Sequence, residues 1–349
     1  MRKYFPFRIG GLSLLIDRKA TAVTASLFIV FLVVIVLSVG IGDLFIAPLE
    51  VLKSLFGAGS DMHNLVVRSF RLPRILLAAL AGMALAVAGA ILQGIVRNPL
   101  ASPDIIGITG GASVAAVTFL AIFSTNDNAL SVSIRWLPLA AFAGALVTGL
   151  LVYALSQKKG TSRMRLVLIG IGLAAGLQAL TNFMIILGPV YLATRATIWM
   201  TGSVHGATWE QVVMLVIWFI VFFIITVVLA RRLNVQELGP AVATSVGSRV
   251  NRDRNLLLIL STALTGGAVA FAGGVGFVGL MAPHMARRLV GSAYGGLIPV
   301  SALLGGIIVM AADLAGRTLF LPLEVPVGVF TSAIGAPYFI YLLYKSRNQ

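Results

Sequence analysis

Residues 71–96 read RLPRILLAALAGMALAVAGAILQGIV, in which two arginines precede a run of 22 residues without a charge. A run of about 20 apolar residues crosses roughly 30 Å of hydrocarbon as an α-helix. Eight further charge-free runs of at least 20 residues lie at 20–42, 105–126, 136–157, 166–194, 211–230, 255–286, 289–312 and 325–344. The sequence therefore predicts an all-α polytopic membrane protein, with residues 1–349 forming one transmembrane domain.

The run 255–286 is too long to be a single crossing. Its 32 residues would span about 48 Å as one helix. Gly273, Gly274 and Gly276 interrupt the run near its middle and suit a break between two helices. Splitting the run gives ten crossings with both termini in the cytoplasm, and 19 of the 26 Lys and Arg residues then lie on the cytoplasmic side.

The remaining basic residues lie on the outer side of the membrane, where basic residues are less common. They are Lys53, Arg68, Arg71, Arg74, Arg135, Arg195 and Arg317. Three of them fall between residues 68 and 74, just before the second span. An outward basic cluster predicts an acidic partner that docks from outside the cell.

Composition excludes several other functions. The net charge of +15 does not indicate nucleic-acid binding, because the charges lie in short loops beside apolar spans. The absence of cysteine excludes disulfides, iron–sulfur clusters and thiolate catalysis. The three histidines are isolated and no lysine completes a phosphate-binding loop, so we expect no metal site, no cofactor and no catalytic residue.

The charge-free spans also bear on the source of energy. Ion-coupled transporters generally need ionisable groups at membrane depth. His284, near the cytoplasmic end of the eighth span, is the only candidate of that kind within the runs. The sequence therefore favours a transporter that draws its energy from another chain.

Two cytoplasmic segments allow more than one interpretation. The loop at about 231–254 has room for two short helices broken at Gly239-Pro240, and it is either a docking element or a connector held by lipid headgroups. Asn98, after the second span, either caps a helix end or lines a constriction. Residues 79–89 match 263–273 at seven of eleven positions, which reflects either an inverted repeat or a shared small-residue composition.

Taken together, several segments resemble the FecCD family of binding-protein-dependent ABC importer permeases, which take up iron–siderophores, haem and cobalamin. The first half matches at residues 71–74, 89–90, 92–93, 97–101, 110–112 and 202–203 with Trp209. The second half matches at 237–239, 276–280, 283–284, 312–313, Arg317, 324–328 and 334–337. The resemblance covers nearly the whole chain in order.

The resemblance implies a type II ABC importer permease in the bacterial cytoplasmic membrane. Its expected partners are a second permease subunit (a sister chain or a second copy), two cytoplasmic ATPase subunits, an extracytoplasmic substrate-binding protein and membrane lipid. ATP hydrolysis would reside in the ATPase subunits, and no nucleic acid is expected.

The same resemblance implies three groups of site residues. Binding-protein docking is expected at Arg71, Arg74 and Arg317. ATPase coupling is expected at Glu237, Leu238, Gly239, Ala243, Val246 and Gly247, and gate positions are expected at Asn98, Leu100, Thr161 and Ser162. One departure is that the family often has Gly-Glu-Glu in the coupling segment, where this chain has Gly239-Pro240-Ala241.

The expected cargo is a ferric siderophore, with the hydroxamate type suggested by its prevalence in the family. Haem and cobalamin are the alternatives within the family. Alternatives from other classes are an ion-coupled secondary transporter, which would work without an ATPase, and a membrane-embedded enzyme or scaffold, which would need a polar catalytic cluster.

Overall fold

The structure, a computed structural model, describes residues 4–9, 12–124, 130–156, 163–188 and 190–346. Ten helices build the membrane domain in this part of the chain. They are α1 (Arg18–Gly40), α4 (Leu72–Val96), α5 (Ile108–Phe123), α6 (Leu137–Ser156), α7 (Arg163–Leu187), α9 (Trp209–Glu237), α11 (Val250–Ala272), α12 (Val278–Val290), α13 (Tyr294–Thr318) and α14 (Val327–Ser346). The predicted ten-helix fold is confirmed.

Shorter elements lie at the two surfaces. On the outer side are α2 (Pro48–Leu55), α3 (Asp61–Leu65), a π-helical turn (Val66–Arg71), a 3₁₀ turn (Ile134–Trp136) and α8 (Val190–Thr201). On the cytoplasmic side are α10 (Pro240–Ser245) and a hairpin of β1 (Tyr4–Ile9) and β2 (Leu12–Asp17), which precedes α1. The hairpin is the one departure from an all-α chain among the described residues.

The break predicted within 255–286 is present. Helix α11 ends at Ala272, Gly273 has a φ of +69°, and α12 begins at Val278. A left-handed φ of this kind suits glycine, which lacks a Cβ. Because α12 has 13 residues and spans about 20 Å, it begins well inside the membrane domain.

A second irregular segment meets this break inside the protein. After α4 ends, the chain folds back through residues 97–107 before α5 begins. Asp104 in that segment accepts a hydrogen bond of 2.8 Å from the Thr109 hydroxyl and a longer one of 3.4 Å from the Phe277 N–H. Non-helical backbone at membrane depth is tolerated where protein surrounds it. Asp104 directly precedes the charge-free run 105–126, so the sequence did not predict a carboxylate inside the domain.

Helix α4 is the central helix of the bundle. Of its 25 residues, 21 are buried, and it packs against α9, α11, α12 and α13. Apolar sequence alone does not place it there, because a helix that faces lipid is apolar as well. The small Ala and Gly residues of 75–96 let neighbouring helices pack closely around α4.

Glycines let the neighbours of α4 approach at backbone distance. A Cβ at Gly82 would overlap the Gly305 carbonyl of α13, and a Cβ at Gly89 would overlap the Gly279 carbonyl of α12. Small residues at helix contacts in membranes allow this close packing. At these two positions the helices therefore touch through their backbones and not through side chains.

The matching segments 79–89 and 263–273 both lie in long helices. Each helix is followed by an irregular stretch and a shorter helix, α5 after α4 and α12 after α11. The helix ends differ, because α4 continues to Val96, whereas α11 ends at Ala272, the counterpart of Ala88. Both interpretations of the match, an inverted repeat and a shared small-residue composition, therefore stand.

Substituting Gly89 should destabilise the domain, because its Cβ would have to displace the backbone of α12. We expect Gly89→Ala to cost about 1–3 kcal/mol through overpacking. Gly295→Ala is the matched control, because a Cβ at Gly295 has no atom within 4 Å. Thermal unfolding of the two purified variants in detergent measures the difference. A midpoint for Gly89→Ala equal to that of the control would contradict the packing described here.

Candidate functional site

The outer arginines from distant parts of the sequence come together in the structure. Arg71 and Arg74 lie at the start of α4, and Arg317 lies in the last turn of α13. All three line one outward cavity of about 160 Å³, together with Asp43 and Glu324. We call Arg71, Arg74, Asp313, Arg317 and Glu324 the outer cluster.

Asp313 is the buried centre of the outer cluster. Its side chain is 1% exposed, and Arg74 Nε donates a hydrogen bond of 2.9 Å to its Oδ1. Arg317 Nε lies 3.4 Å from the other carboxylate oxygen. A buried carboxylate requires such partners, because an unpaired charge in a low-dielectric interior is strongly unfavourable.

The guanidinium groups of Arg71 and Arg317 bind backbone carbonyls at the end of α1 and just beyond it. Arg71 donates to the carbonyls of Val39 at 2.8 Å and Leu44 at 2.7 Å, while Arg317 donates to the carbonyls of Ser38 and Ile41. The last carbonyls of a helix lack partners within the helix and carry partial negative charge. The two arginines therefore join α1 to α4 and α13, a role that the sequence did not indicate.

Glu324 is the more exposed acid of the outer cluster, at 39%. It accepts a hydrogen bond of 2.9 Å from Arg74, and His205 Nδ1 lies 2.8 Å away. Burial raises the pKa of Glu324, but Arg74 and His205 lower it by more, so the pKa lies below its ordinary value of 4.5. The stability from this pair is therefore present above pH 4.5 and is lost as the pH falls through the lowered pKa.

The outer cluster therefore places the three predicted docking residues at the outer surface, with their guanidinium groups already engaged within the chain. Arg68, one turn earlier, is the exposed arginine of this segment. Its backbone carbonyl accepts a hydrogen bond of 2.8 Å from the Trp209 indole. The docking role of the three arginines stays a prediction.

The coupling loop begins where α9 ends. The predicted break at Gly239-Pro240 is present, but α9 continues to Glu237, so one short helix, α10, follows the break instead of two flanking it. Gly239 has a φ of +109°, and Pro240 occupies the first turn of α10, where its missing N–H is not needed. Leu238 and Val246 are each 64% exposed, whereas Ala243 is buried.

A chain of polar contacts connects the coupling loop to α4. Glu237 accepts a hydrogen bond of 2.7 Å from Arg287 of α12, and Arg287 reaches the Tyr294 hydroxyl at 3.5 Å. Tyr294 is fully buried, and its hydroxyl donates to the Ala90 carbonyl of α4 at 3.3 Å. We call Glu237, Arg287 and Tyr294 the inner relay. The sequence predicted a role for Glu237 alone among these three, because Arg287 and Tyr294 lie outside the segment 231–254.

The predicted gate residues are described only in part. Asn98 Oδ1 accepts a hydrogen bond of 2.9 Å from the Leu100 N–H, so Asn98 caps the turn after α4 and Leu100 is half-buried. The neighbouring Arg97 guanidinium lies against Gly239, where a Cβ would be 2.9 Å from Nη1. Thr161 and Ser162 lie outside the described residues. A gating role for these four residues stays a prediction.

Two substitutions in the outer cluster should differ sharply in their effect on stability. Asp313→Asn leaves two guanidinium groups facing a neutral side chain, at a cost of about 3–5 kcal/mol. Glu324→Gln removes a partly exposed partner and should cost roughly 0–1 kcal/mol. Thermal unfolding at pH 7 in detergent separates the two. Equal midpoints would show that Asp313 does not hold the outer cluster together.

Comparisons with known proteins agree with this architecture. The sequence pattern of the FecCD transport family matches residues 30–345. The chain is 56% identical over 336 residues to the "Probable siderophore transport system permease protein YfhA" of Bacillus subtilis, covering 94% of this chain and 98% of that one. It is 45% identical to the achromobactin transport system permease protein CbrC of Dickeya dadantii, covering 98% and 97%.

A third relative and a solved structure extend the similarity. The iron(3+)-hydroxamate import system permease protein FhuG of Bacillus subtilis is 41% identical, with coverage of 94% of this chain and 98% of FhuG. A solved structure described as "An inward-facing conformation of a putative metal-chelate type ABC transporter" superimposes with a TM-score of 0.82 at 30% identity, covering 93% of this chain and 99% of that one. The chain therefore belongs to the FecCD transport family and is a multi-pass ABC transporter permease of the bacterial cytoplasmic membrane.

Proposed function

We propose that this permease is the membrane subunit of a binding-protein-dependent importer that moves a ferric siderophore into the cytoplasm. The names of the relatives support an iron chelate as cargo in preference to haem or cobalamin. The similarity to FhuG supports the hydroxamate type as the first cargo to test. Energy comes from ATP hydrolysis in partner subunits.

The observation that carries this proposal is the inner relay. It joins an exposed cytoplasmic loop to the central helix α4 through Glu237, Arg287 and Tyr294. Leu238 and Val246 offer apolar side chains for docking of an ATPase, whereas Ala243 and Gly239 pack inward and shape the loop. Movement of the docked loop is then transmitted to α4, which packs against α9, α11, α12 and α13.

Helix α7 supports pairing with a second permease subunit. Gly172 and Gly176 have no atom within 4 Å of a Cβ built on them, and Ala175 and Ala179 extend the same exposed stripe. Small residues at this spacing suit a close helix–helix contact. Gln178 and Asn182 are also exposed and hydrogen-bond to each other at 3.0 Å. Polar side chains at membrane depth suit a translocation pathway between two subunits.

The outer cluster supports docking of the substrate-binding protein. Arg71, with the exposed Arg68 beside it, presents positive charge at the outer surface near the start of α4. Arginine suits carboxylate partners, because its planar fork donates two hydrogen bonds at once. Since exposed pairs contribute roughly 0–1 kcal/mol each, several are needed and binding stays reversible.

In the resulting mechanism, the loaded binding protein docks on the outer surface and delivers its cargo to the pathway between two permease subunits. ATP binding closes the ATPase subunits and moves the coupling loops. The inner relay passes that motion to α4, and the pathway opens alternately to the two sides. An ion-coupled secondary transporter receives less support, because the chain belongs to the FecCD transport family and is similar in structure to an ABC transporter.

Uptake by the reconstituted importer tests this function. In proteoliposomes that contain the permease, its ATPase partner and its binding protein, we expect ferric hydroxamate to accumulate only with ATP and the binding protein. Radiolabelled iron counts the transported cargo, and ferric citrate and haem serve as alternative cargoes. Accumulation driven by a proton or sodium gradient without ATP would favour the secondary transporter.

The same assay contains a docking control. Arg71→Gln is preferred to changes at Arg74 or Arg317, because those two residues hold Asp313. Thermal unfolding of the variant controls for the lost hydrogen bonds from Arg71 to the Val39 and Leu44 carbonyls. Loss of stimulation by the binding protein, with the ATPase still bound, supports the docking surface. Unchanged stimulation would exclude Arg71 from docking while leaving the transport function intact.

Charge exchange within the inner relay tests the coupling step. We expect Glu237→Arg and Arg287→Glu each to reduce ATP-dependent uptake, because each brings two like charges together. The double variant should recover much of the loss, since interacting residues couple by about 0.5–3 kcal/mol. Co-purification of the ATPase controls for assembly. A double variant as impaired as the sum of the two single variants would show that this pair does not couple.

A further inference from the structure

A second cationic site lies on the cytoplasmic side, within the coupling loop, and the predicted coupling residues Val246 and Gly247 also line it. The cytoplasmic ends of α9 and α11, with residues 246–249 before α11, line an open cavity of about 450 Å³. Arg231, Arg232, Arg249 and Arg252 line it, together with Asp253. We call it the arginine cavity.

The arginine cavity has a surplus of positive charge. Asp253 is buried and already pairs with Arg232 at 2.6 Å, and it accepts a hydrogen bond of 2.8 Å from Ser248. Arg231, Arg249 and Arg252 are exposed and form no ion pair with any described residue. Four arginines against one aspartate leave three positive charges on a concave surface. Such a surface suits an anion that accepts several hydrogen bonds.

The position of the arginine cavity indicates where that anion comes from. On α9, the exposed side chains of Ile224 and Val228 lead down one helix face to Arg231. On α11, the exposed Ile259 and Leu256 lead in the same way to Arg252. Both stripes follow the i, i+3, i+4 spacing of one helix face. The cavity therefore lies at the end of a surface that faces lipid acyl chains.

We propose that the arginine cavity binds the phosphate of an anionic phospholipid headgroup from the inner leaflet. Arginine donates bidentate hydrogen bonds to phosphate, and basic pockets at the cytoplasmic ends of membrane helices bind anionic headgroups. The acyl chains lie along the apolar stripes of α9 and α11. Free phosphate would contact the arginines alone, whereas a phospholipid contacts both the arginine cavity and the apolar stripes of α9 and α11. The proposal does not depend on the cargo of the importer.

Lipid titration of the purified full-length permease tests the proposal. Delipidated protein in neutral detergent is titrated with phosphatidylglycerol, with phosphatidylcholine and with inorganic phosphate, and native mass spectrometry counts the bound species. The test variant is R231Q/R249Q/R252Q. The matched control is R18Q/K19Q/R288Q, which removes three exposed basic residues from the same membrane surface.

We expect phosphatidylglycerol to bind at least about tenfold more weakly to the test variant than to the wild type. The control should stay within about twofold of the wild type, because its charges do not line the cavity. If the triple variant fails to fold, the single variant R252Q carries the test, with an expected loss of about threefold or more.

Several outcomes would overturn the proposal. One is equal loss of phosphatidylglycerol binding in the test and control variants. Another is wild-type protein that binds phosphatidylcholine as tightly as phosphatidylglycerol, or that binds inorganic phosphate with the same dependence on the three arginines. Unchanged lipid binding with loss of the ATPase from the complex would instead identify the cavity as a protein contact.

Discussion

The contact between the backbones of α4, α12 and α13 is the constraint on which the rest of the structure depends. At Gly82 and Gly89 there is no room for even a methyl group. Because α4 is also buried on nearly all sides, its neighbours fit around it as rigid surfaces and not through adjustable side chains. A displacement of α4 must therefore carry α12 and α13 with it, or break these contacts.

Both surface sites are attached to this one helix. Arg74, at its outer end, holds Asp313 of α13, and the Ala90 carbonyl, near its inner end, accepts from Tyr294. These two residues are 16 positions apart, or about 24 Å along a helix. The outer cluster and the inner relay thus contact opposite ends of a single rigid element. This arrangement allows an event at one membrane surface to alter packing at the other.

The sequence predicted those features that depend on neighbours along the chain. Nine charge-free runs, one of them divided at the glycines near 273, identified the ten helices, because length and local conformation decide both. The partners of Arg71, Asp313 and Tyr294 could not be predicted in this way. Arg74 and Asp313 are 239 residues apart, and the groups that Arg71 binds are backbone carbonyls, which leave no mark in the sequence. The resemblance to the FecCD family grouped Arg71, Arg74 and Arg317. It did not indicate that their guanidinium groups already bind carbonyls and carboxylates of the same chain.

That prior pairing changes what docking at the outer surface requires. An acidic group on a binding protein would meet the exposed Arg68 directly, but at Arg74 it must exchange with an acid that is already present. Asp313 is buried between two guanidinium groups and is held too firmly to exchange. Glu324 is partly exposed, and its pair with Arg74 contributes little net energy. Replacing Glu324 at Arg74 with an acidic group of the binding protein would therefore cost little free energy, and so would the return of Glu324. A binding protein that docks and leaves in every transport cycle needs such a reversible contact.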